Sequence, residues 1–209
     1  MSAATAAKKT AIVQNRRKGV EALNMTDFMT ILKERRSVRK YEEKEVPQEI
    51  LDQILEAVRW SPSWANTQCW EVVVIKDPAI KTKLQETLVP KNPATKAIVS
   101  APVLLALCGK RNSSGYYGGM VTTKFGDWFM FDLGIATQSL CLAAHAQGLG
   151  TCILAMAVRH PDLLRKLLPE AGDRAFVIGI ALGYPDPEAA INTFERPRAE
   201  VDEFVTWVQ

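Results

Sequence analysis

The sequence predicts an α+β fold, one domain in which a mixed sheet is covered by helices, and three observations carry that expectation. Short apolar runs rich in β-branched residues, Glu71–Ile75, Val103–Cys108 and Phe176–Leu182, have the length of buried strands. The segments before and between them place apolar residues at helical spacing. No Gly-, Ser- or Pro-rich linker and no internal repeat separates these elements, so they are expected to share one core.

In chain order, Thr26 can cap a helix with Phe28, Ile31 and Leu32 on one face, running into Arg35-Arg36. Pro47 suits a first helical turn. Glu49 and Asp52 follow it, and Ile50, Leu51, Ile54, Leu55 and Val58 form one apolar stripe that ends before Pro62. The strand Glu71–Ile75 is bounded by Asp77-Pro78, and Val103–Cys108 repeats its character. From Lys110 to Asp127 the apolar period fails, while Gly115, Gly118, Gly119 and Gly126 interleave with Tyr116 and Tyr117. Such a loop is either a lid over a site or a surface excursion. Phe131–Gln147 is apolar on most sides and closed by Gly148, as expected of a central helix. Gly150–Leu154 reads as a further strand, and Pro161–Leu168 as a helix before the last strand.

The chain has 209 residues, 47% hydrophobic and 23% charged, which is ordinary globular composition and excludes fibrous or wholly disordered classes. Its best apolar run, Ala175–Leu182, is too short for a membrane helix, so a soluble, cytoplasmic protein is expected. The net charge of +3 resides in residues 1–24, a basic leader at +4, while residues 25–209 sum to −1. A near-neutral body argues against a phosphate-tracking nucleic-acid surface. The leader is expected to be flexible and the remainder to form the single domain. Cys69, Cys108, Cys141 and Cys152 lack metal-ligand spacing, so no metal site is expected, and a reducing compartment suits them.

The glycines at 148 and 150 follow a helix and precede a strand, the reverse of a dinucleotide fingerprint. No phosphate-binding loop or serine elbow occurs, and His145 and His160 give little support for a nucleophilic triad. Two segments carry more information. In Arg35-Arg36-Ser37-Val38-Arg39, three guanidinium groups and a hydroxyl lie within five positions, either as a solvated helix end or as an anion site. Between a helix and a strand, Ser61-Pro62-Ser63-Trp64-Ala65-Asn66-Thr67-Gln68-Cys69-Trp70 gathers hydroxyls, amides and two indoles, which suits a flat heteroaromatic ligand.

These two segments, with A-A-H-A-Q-G-L-G-T-C-I-L at 143–154, A-L-G-Y-P at 181–185 and the late pair Arg196 and Arg198, resemble the FMN-dependent nitroreductases from about Met25 onward. The resemblance implies a nitroreductase-like fold whose C-terminal segment wraps the partner subunit of a homodimer. It implies that Arg35, Arg36, Ser37 and Arg39 hold the phosphate and pyrimidine side of FMN. Pro62, Ser63, Trp64 and Asn66 then belong to the loop beside the ring, part of it reaching the flavin of the other subunit. Leu154, Ala155 and Met156 match the backbone that faces the flavin, Arg196 and Arg198 the cations that close on its phosphate, and Asn92 an amide near the ring edge. FMN phosphate carries nearly two negative charges, which guanidinium forks answer well, and a cation near the ring favours its reduced form.

Two departures stand out. Cys69 replaces the usual proline, and Trp64 a residue that is often small, so that its indole either stacks on the ligand or packs at a subunit interface. The implied activity is two-electron transfer from NAD(P)H to a nitroaromatic, quinone or similar acceptor by a ping-pong mechanism, with no catalytic side chain required. A related dehalogenase or flavin-fragmenting enzyme, or a non-catalytic flavin-binding redox sensor, is the alternative.

Overall fold

The computed structural model describes residues 25–86, 88, 92, 94–155, 166, 175–189 and 197–208. The leader, most of the helix expected at Pro161–Leu168, and two of the expected site residues, Met156 and Arg196, lie outside the described residues. The chain divides into two compact units, residues 1–35 and 36–209. The first contains helix α1, Met25–Glu34, with Asp27 in its first turn and Lys33 in its last, a charge order that suits the helix dipole.

In the second unit, α2 spans Gln48–Arg59 and leads through a single 3-10 turn, Trp64–Asn66, into strand β1, Trp70–Ile75. Helices α3, Pro78–Glu86, and α4, Thr95–Ser100, precede strand β2, Val103–Gly109. A small hairpin, β3 at Tyr116–Tyr117 and β4 at Met120–Val121, comes before the central helix α5, Phe129–Ala146. Strand β5, Gly150–Ala155, strand β6, Ala175–Gly183, and the short helix α6, Val201–Phe204, complete the described elements. No described helix is long and apolar enough to cross a membrane.

The main sheet has the order β1-β2-β6-β5, every neighbouring pair antiparallel. An isolated parallel bridge from Ser37 to Thr151 lies outside these strands. Strand β2 is buried along its whole length, as its unbroken Val-Leu-Leu-Ala-Leu-Cys run requires of a central strand. One sheet face packs Leu104, Ala106 and Cys108 against Leu84, Ala97 and Ile98 of α3 and α4. The other packs Leu105, Leu107 and Ile180 against Leu51 and Ile54 of α2 and Leu133 and Leu140 of α5. The result is three layers, helix, sheet and helix.

The expected strands and long helices form where the patterns put them, within two residues at each end. Helices α3 and α4 lie outside the elements expected from the sequence, which reads Asp77-Pro78 only as the end of a strand. In fact the Asp77 carboxylate accepts the Ala79 N–H at 2.7 Å and starts a helix there. Gly148, at φ 74°, ends α5 as expected, and the Leu149 N–H reaches back to the Ala144 carbonyl at 2.9 Å.

Candidate functional site

Residues 36–41 form an extended segment laid along the β5/β6 edge. The Val38 N–H donates to the Thr151 carbonyl at 2.9 Å, the Glu42 N–H to the Tyr184 carbonyl at 3.0 Å, and the Asp186 N–H to the Lys40 carbonyl at 3.2 Å. Val38 and Tyr41 point into the core, which leaves Arg36 and Arg39 exposed and Ser37 half-buried. The Arg39 guanidinium also donates to the Ser37 carbonyl at 3.3 Å. Arg35 ends the first unit, its N–H donating to the Ile31 carbonyl at 3.1 Å.

Two glycines make that close approach possible. A methyl on Gly150 would lie 2.5 Å from Val38 Cγ2, and one on Gly183 would lie 2.5 Å from Pro102 Cδ and 3.0 Å from Tyr41 Cδ1. The glycines of G-L-G-T and A-L-G-Y-P are therefore seats for this segment. Burial raises the Tyr41 hydroxyl above its ordinary pKa, so it stays a neutral donor. It donates to the Val38 carbonyl at 2.6 Å, with the Ala181 carbonyl 3.2 Å away. Tyr41→Phe leaves buried carbonyl oxygen without that donor and is expected to cost about 1–2 kcal/mol, seen as a lower urea midpoint at unchanged slope.

The loop from Ser61 to Trp70 is held from beneath. The Ser61 hydroxyl bonds Ser139 Oγ at 2.8 Å, the Gln68 N–H donates to Ser63 Oγ at 2.9 Å, and the Lys110 N–H donates to the Cys69 carbonyl at 2.8 Å. Asp132, wholly buried, accepts the Trp64 N–H at 3.0 Å and the Cys69 thiol at 3.4 Å. Ala65, Asn66 and Gln68 sit at φ 47°, 56° and 46°, a left-handed region that non-glycine residues rarely occupy and that clusters at functional sites. Pro62, Ala65, Asn66 and Gln68 are exposed, and Ser63 and Trp64 are half-buried. Cys69 is buried, and burial together with the Asp132 carboxylate pushes its thiol up to about 12, so it remains an unreactive donor.

Leu154 packs its side chain in the core, while Ala155 is exposed. Strand alternation makes the backbone informative here. Because the Thr151 carbonyl faces outward to Val38, Ile153 and Ala155 likewise turn their N–H groups toward the outer edge of β5. Asn92 is half-buried. Its Oδ1 accepts the Ala94 N–H at 2.9 Å. Arg198 is exposed, with Nη1 3.5 Å from the Pro197 carbonyl.

The structure brings Ser37 and Arg39 together with the β5 backbone. It does not bring them to Pro62–Asn66, which lead into β1 at the opposite edge of the sheet, with β2 and β6 between. Three inter-strand spacings amount to roughly 14 Å. The segment 110–128 is a loop braced by its own hydrogen bonds. The Thr122 N–H donates to the Gly115 carbonyl at 2.9 Å, the Trp128 indole to Thr123 Oγ1 at 2.7 Å and the Asn112 N–H to Asp127 at 2.9 Å. Its hairpin turns on Gly118-Gly119, both at positive φ.

The outer face of α5 is apolar and uncovered by the described residues. Met130, Phe131, Gly134, Ile135, Gln138, Ser139 and Leu142 line an open groove of about 530 Å³, with Met130 55% and Phe131 59% exposed. Sequence reasoning missed Asp132, the buried group on which the 61–70 loop converges. Its signal was a lone acid near the start of an otherwise apolar helix.

Compared with known proteins, residues 32–184 match the model of the nitroreductase family. The chain is 31% identical to the FMN reductase (NAD(P)H) of Bacillus subtilis, over 79% of this chain and 69% of that protein. It is 28% identical to nitroreductase NfnB of Mycolicibacterium smegmatis, over 83% of this chain and 89% of that one. The crystal structure described as FMN-dependent nitroreductase NfnB from Mycobacterium smegmatis in complex with NADPH has the same fold. The match has a TM-score of 0.70 at 22% identity and covers 89% of this chain and all of that chain.

Proposed function

This chain belongs to the nitroreductase family, and from that premise we propose that it is an FMN-dependent oxidoreductase. It passes two electrons from NAD(P)H to a small acceptor such as a nitroaromatic or quinone, as a homodimer with ping-pong kinetics. FMN, when bound, supplies the electron-carrying ring, and the protein supplies binding, orientation and electrostatics.

The observation that carries this reading is the division of the site motifs between opposite sheet edges, each on its own rigid support. One copy offers Arg36, Ser37 and Arg39 with the outward N–H of Ala155. A second copy offers the exposed tip of its 61–66 loop, so that each site is completed across a two-fold interface. The residues fit the cofactor. Exposed guanidinium groups suit its phosphate, the outward N–H groups of β5 suit the hydrogen-bonding rim of its ring, and Ser63 and Asn66 supply further polar contacts. Arg198, and Arg196 by the motif, close on the phosphate, and Asn92 offers its amide hydrogens near the ring.

Two features support the dimer. The α5 groove is a ready apolar face, and the C-terminal segment holds Trp207 80% and Val208 94% exposed, as befits an arm that wraps a partner. The four free, buried cysteines fit a reducing compartment such as the cytoplasm.

The test is the full-length protein itself. It is expected to purify yellow or to bind added FMN, and to oxidise NAD(P)H steadily with a nitro or quinone acceptor, giving parallel initial-rate lines. Arg39→Ala with Arg198→Ala is expected to lower FMN affinity at least tenfold, since charge-assisted bonds to phosphate contribute about 1.5–3 kcal/mol each. A colourless protein that takes up no FMN overturns the reading, and intersecting lines overturn its ping-pong part.

A further inference from the structure

Asp132 is fully buried in the first turn of α5, yet its carboxylate serves two separate loops. Oδ1 accepts the Trp64 N–H at 3.0 Å, and Oδ2 accepts the Ser114 hydroxyl at 2.6 Å and the Cys69 thiol at 3.4 Å. Trp64 and Cys69 bracket the turn that contains the left-handed residues Ala65, Asn66 and Gln68. Ser114 belongs to the 110–128 loop, where its carbonyl also accepts the Trp128 N–H at 3.0 Å.

A buried carboxylate is costly unless its lone pairs are filled, and left-handed non-glycine residues cost of order 1 kcal/mol or more each. Each strain answers the other here. The loop supplies the donors the carboxylate needs, and the carboxylate fixes both ends of a turn that would otherwise relax. The position of Asp132 near the positive end of α5 adds to this.

We propose that Asp132 is a positioning residue: its carboxylate holds the 63–68 turn in the shape that meets FMN and ties that turn to the 110–128 loop, making the two loops one unit. This deepens the function proposed above and rests on it. Asp132 touches neither cofactor nor substrate. It acts through the Trp64 backbone, the Cys69 thiol and the Ser114 hydroxyl.

The experiment uses the full-length homodimer, with FMN as the probe. Asp132→Asn keeps the side-chain shape but turns one acceptor oxygen into a donor group. It is expected to raise the FMN dissociation constant at least tenfold, to shift the reduction potential of the bound flavin, and to raise acceptor KM more than it lowers kcat. Ser114→Ala and Cys69→Ala each remove one donor and are expected to weaken FMN binding several-fold, while Cys69→Ser, which keeps a donor, restores most of the affinity. Added to Asp132→Asn, Ser114→Ala is expected to have little further effect, the non-additivity of one network.

A folded Asp132→Asn protein with the parent's FMN affinity, potential and acceptor KM overturns the proposal, as does one that loses only thermal stability. Should that variant fail to fold, the Cys69→Ala and Cys69→Ser pair decides, and equal FMN affinity in both overturns it. A parent protein that binds no FMN instead refutes the function on which the proposal rests, so the two failures are distinguishable.

Discussion

Gly150→Ala is expected to loosen the 36–41 segment on β5 and to lower both stability and FMN affinity. The added methyl would stand 2.5 Å from Val38 Cγ2 and 2.6 Å from Val38 Cβ, inside any tolerable contact, and Gly150 is buried, so the clash cannot relax into solvent. Relief comes by lifting the 36–41 segment away from β5, which stretches the 2.9 Å bond from the Val38 N–H to the Thr151 carbonyl. Overpacking of this kind costs about 1–3 kcal/mol, equivalent to a fall in Tm of roughly 2–12 °C for a chain of this size. Arg36, Ser37 and Arg39 move with the segment, so FMN binding should weaken even below the melt. Val38→Ala in the same chain removes the two Cγ methyls but keeps Cβ, and is expected to recover only part of both losses. A Gly150→Ala protein with the parent's Tm and flavin affinity would mean that the glycine is not a seat.

Gly134→Glu is expected to leave the subunit folded and abolish the proposed dimer. Gly134 lies mid-helix on the exposed side of α5, where an added Cβ meets nothing within 4 Å. Glycine in a helix interior costs up to about 1 kcal/mol relative to alanine, so nothing within the described chain accounts for it. The proposed dimer would account for it, with a second copy packed close to the α5 backbone. Gly134→Glu places a charge in the middle of that contact, beside Met130, Phe131 and Leu142. Sedimentation should report a monomer with native circular dichroism and sharply reduced flavin content. A stable dimer that retains FMN would move the interface elsewhere on the molecule.

Much of the architecture is legible in the sequence because periodicity reports burial. The all-apolar β2 run announces a central strand, and the α2 stripe announces a helix with one covered face. The candidate site is legible mainly as motifs, because guanidinium clusters and polar aromatic loops name a ligand chemistry. What local reading missed was mutual support between distant residues. Asp132 lies 68 residues from Trp64 and 18 from Ser114, and no window of sequence joins them. The glycines at 150 and 183 read as turn or strand-end residues until Val38, Pro102 and Tyr41 are seen pressed against them. Helix α3 is hard to read because it begins at Asp77-Pro78, a pair that starts helices and turns alike.

The 110–128 loop is braced by its own bonds and holds Tyr117 and Met120 exposed on either side of a Gly-Gly tip, where an added Cβ would meet nothing within 4 Å. Such a build separates the part that can vary from the part that must not. Mutations at the tip can accumulate while the frame beneath stays intact, which makes this hairpin a place where a lineage, or a library, can change the surface without disturbing the fold.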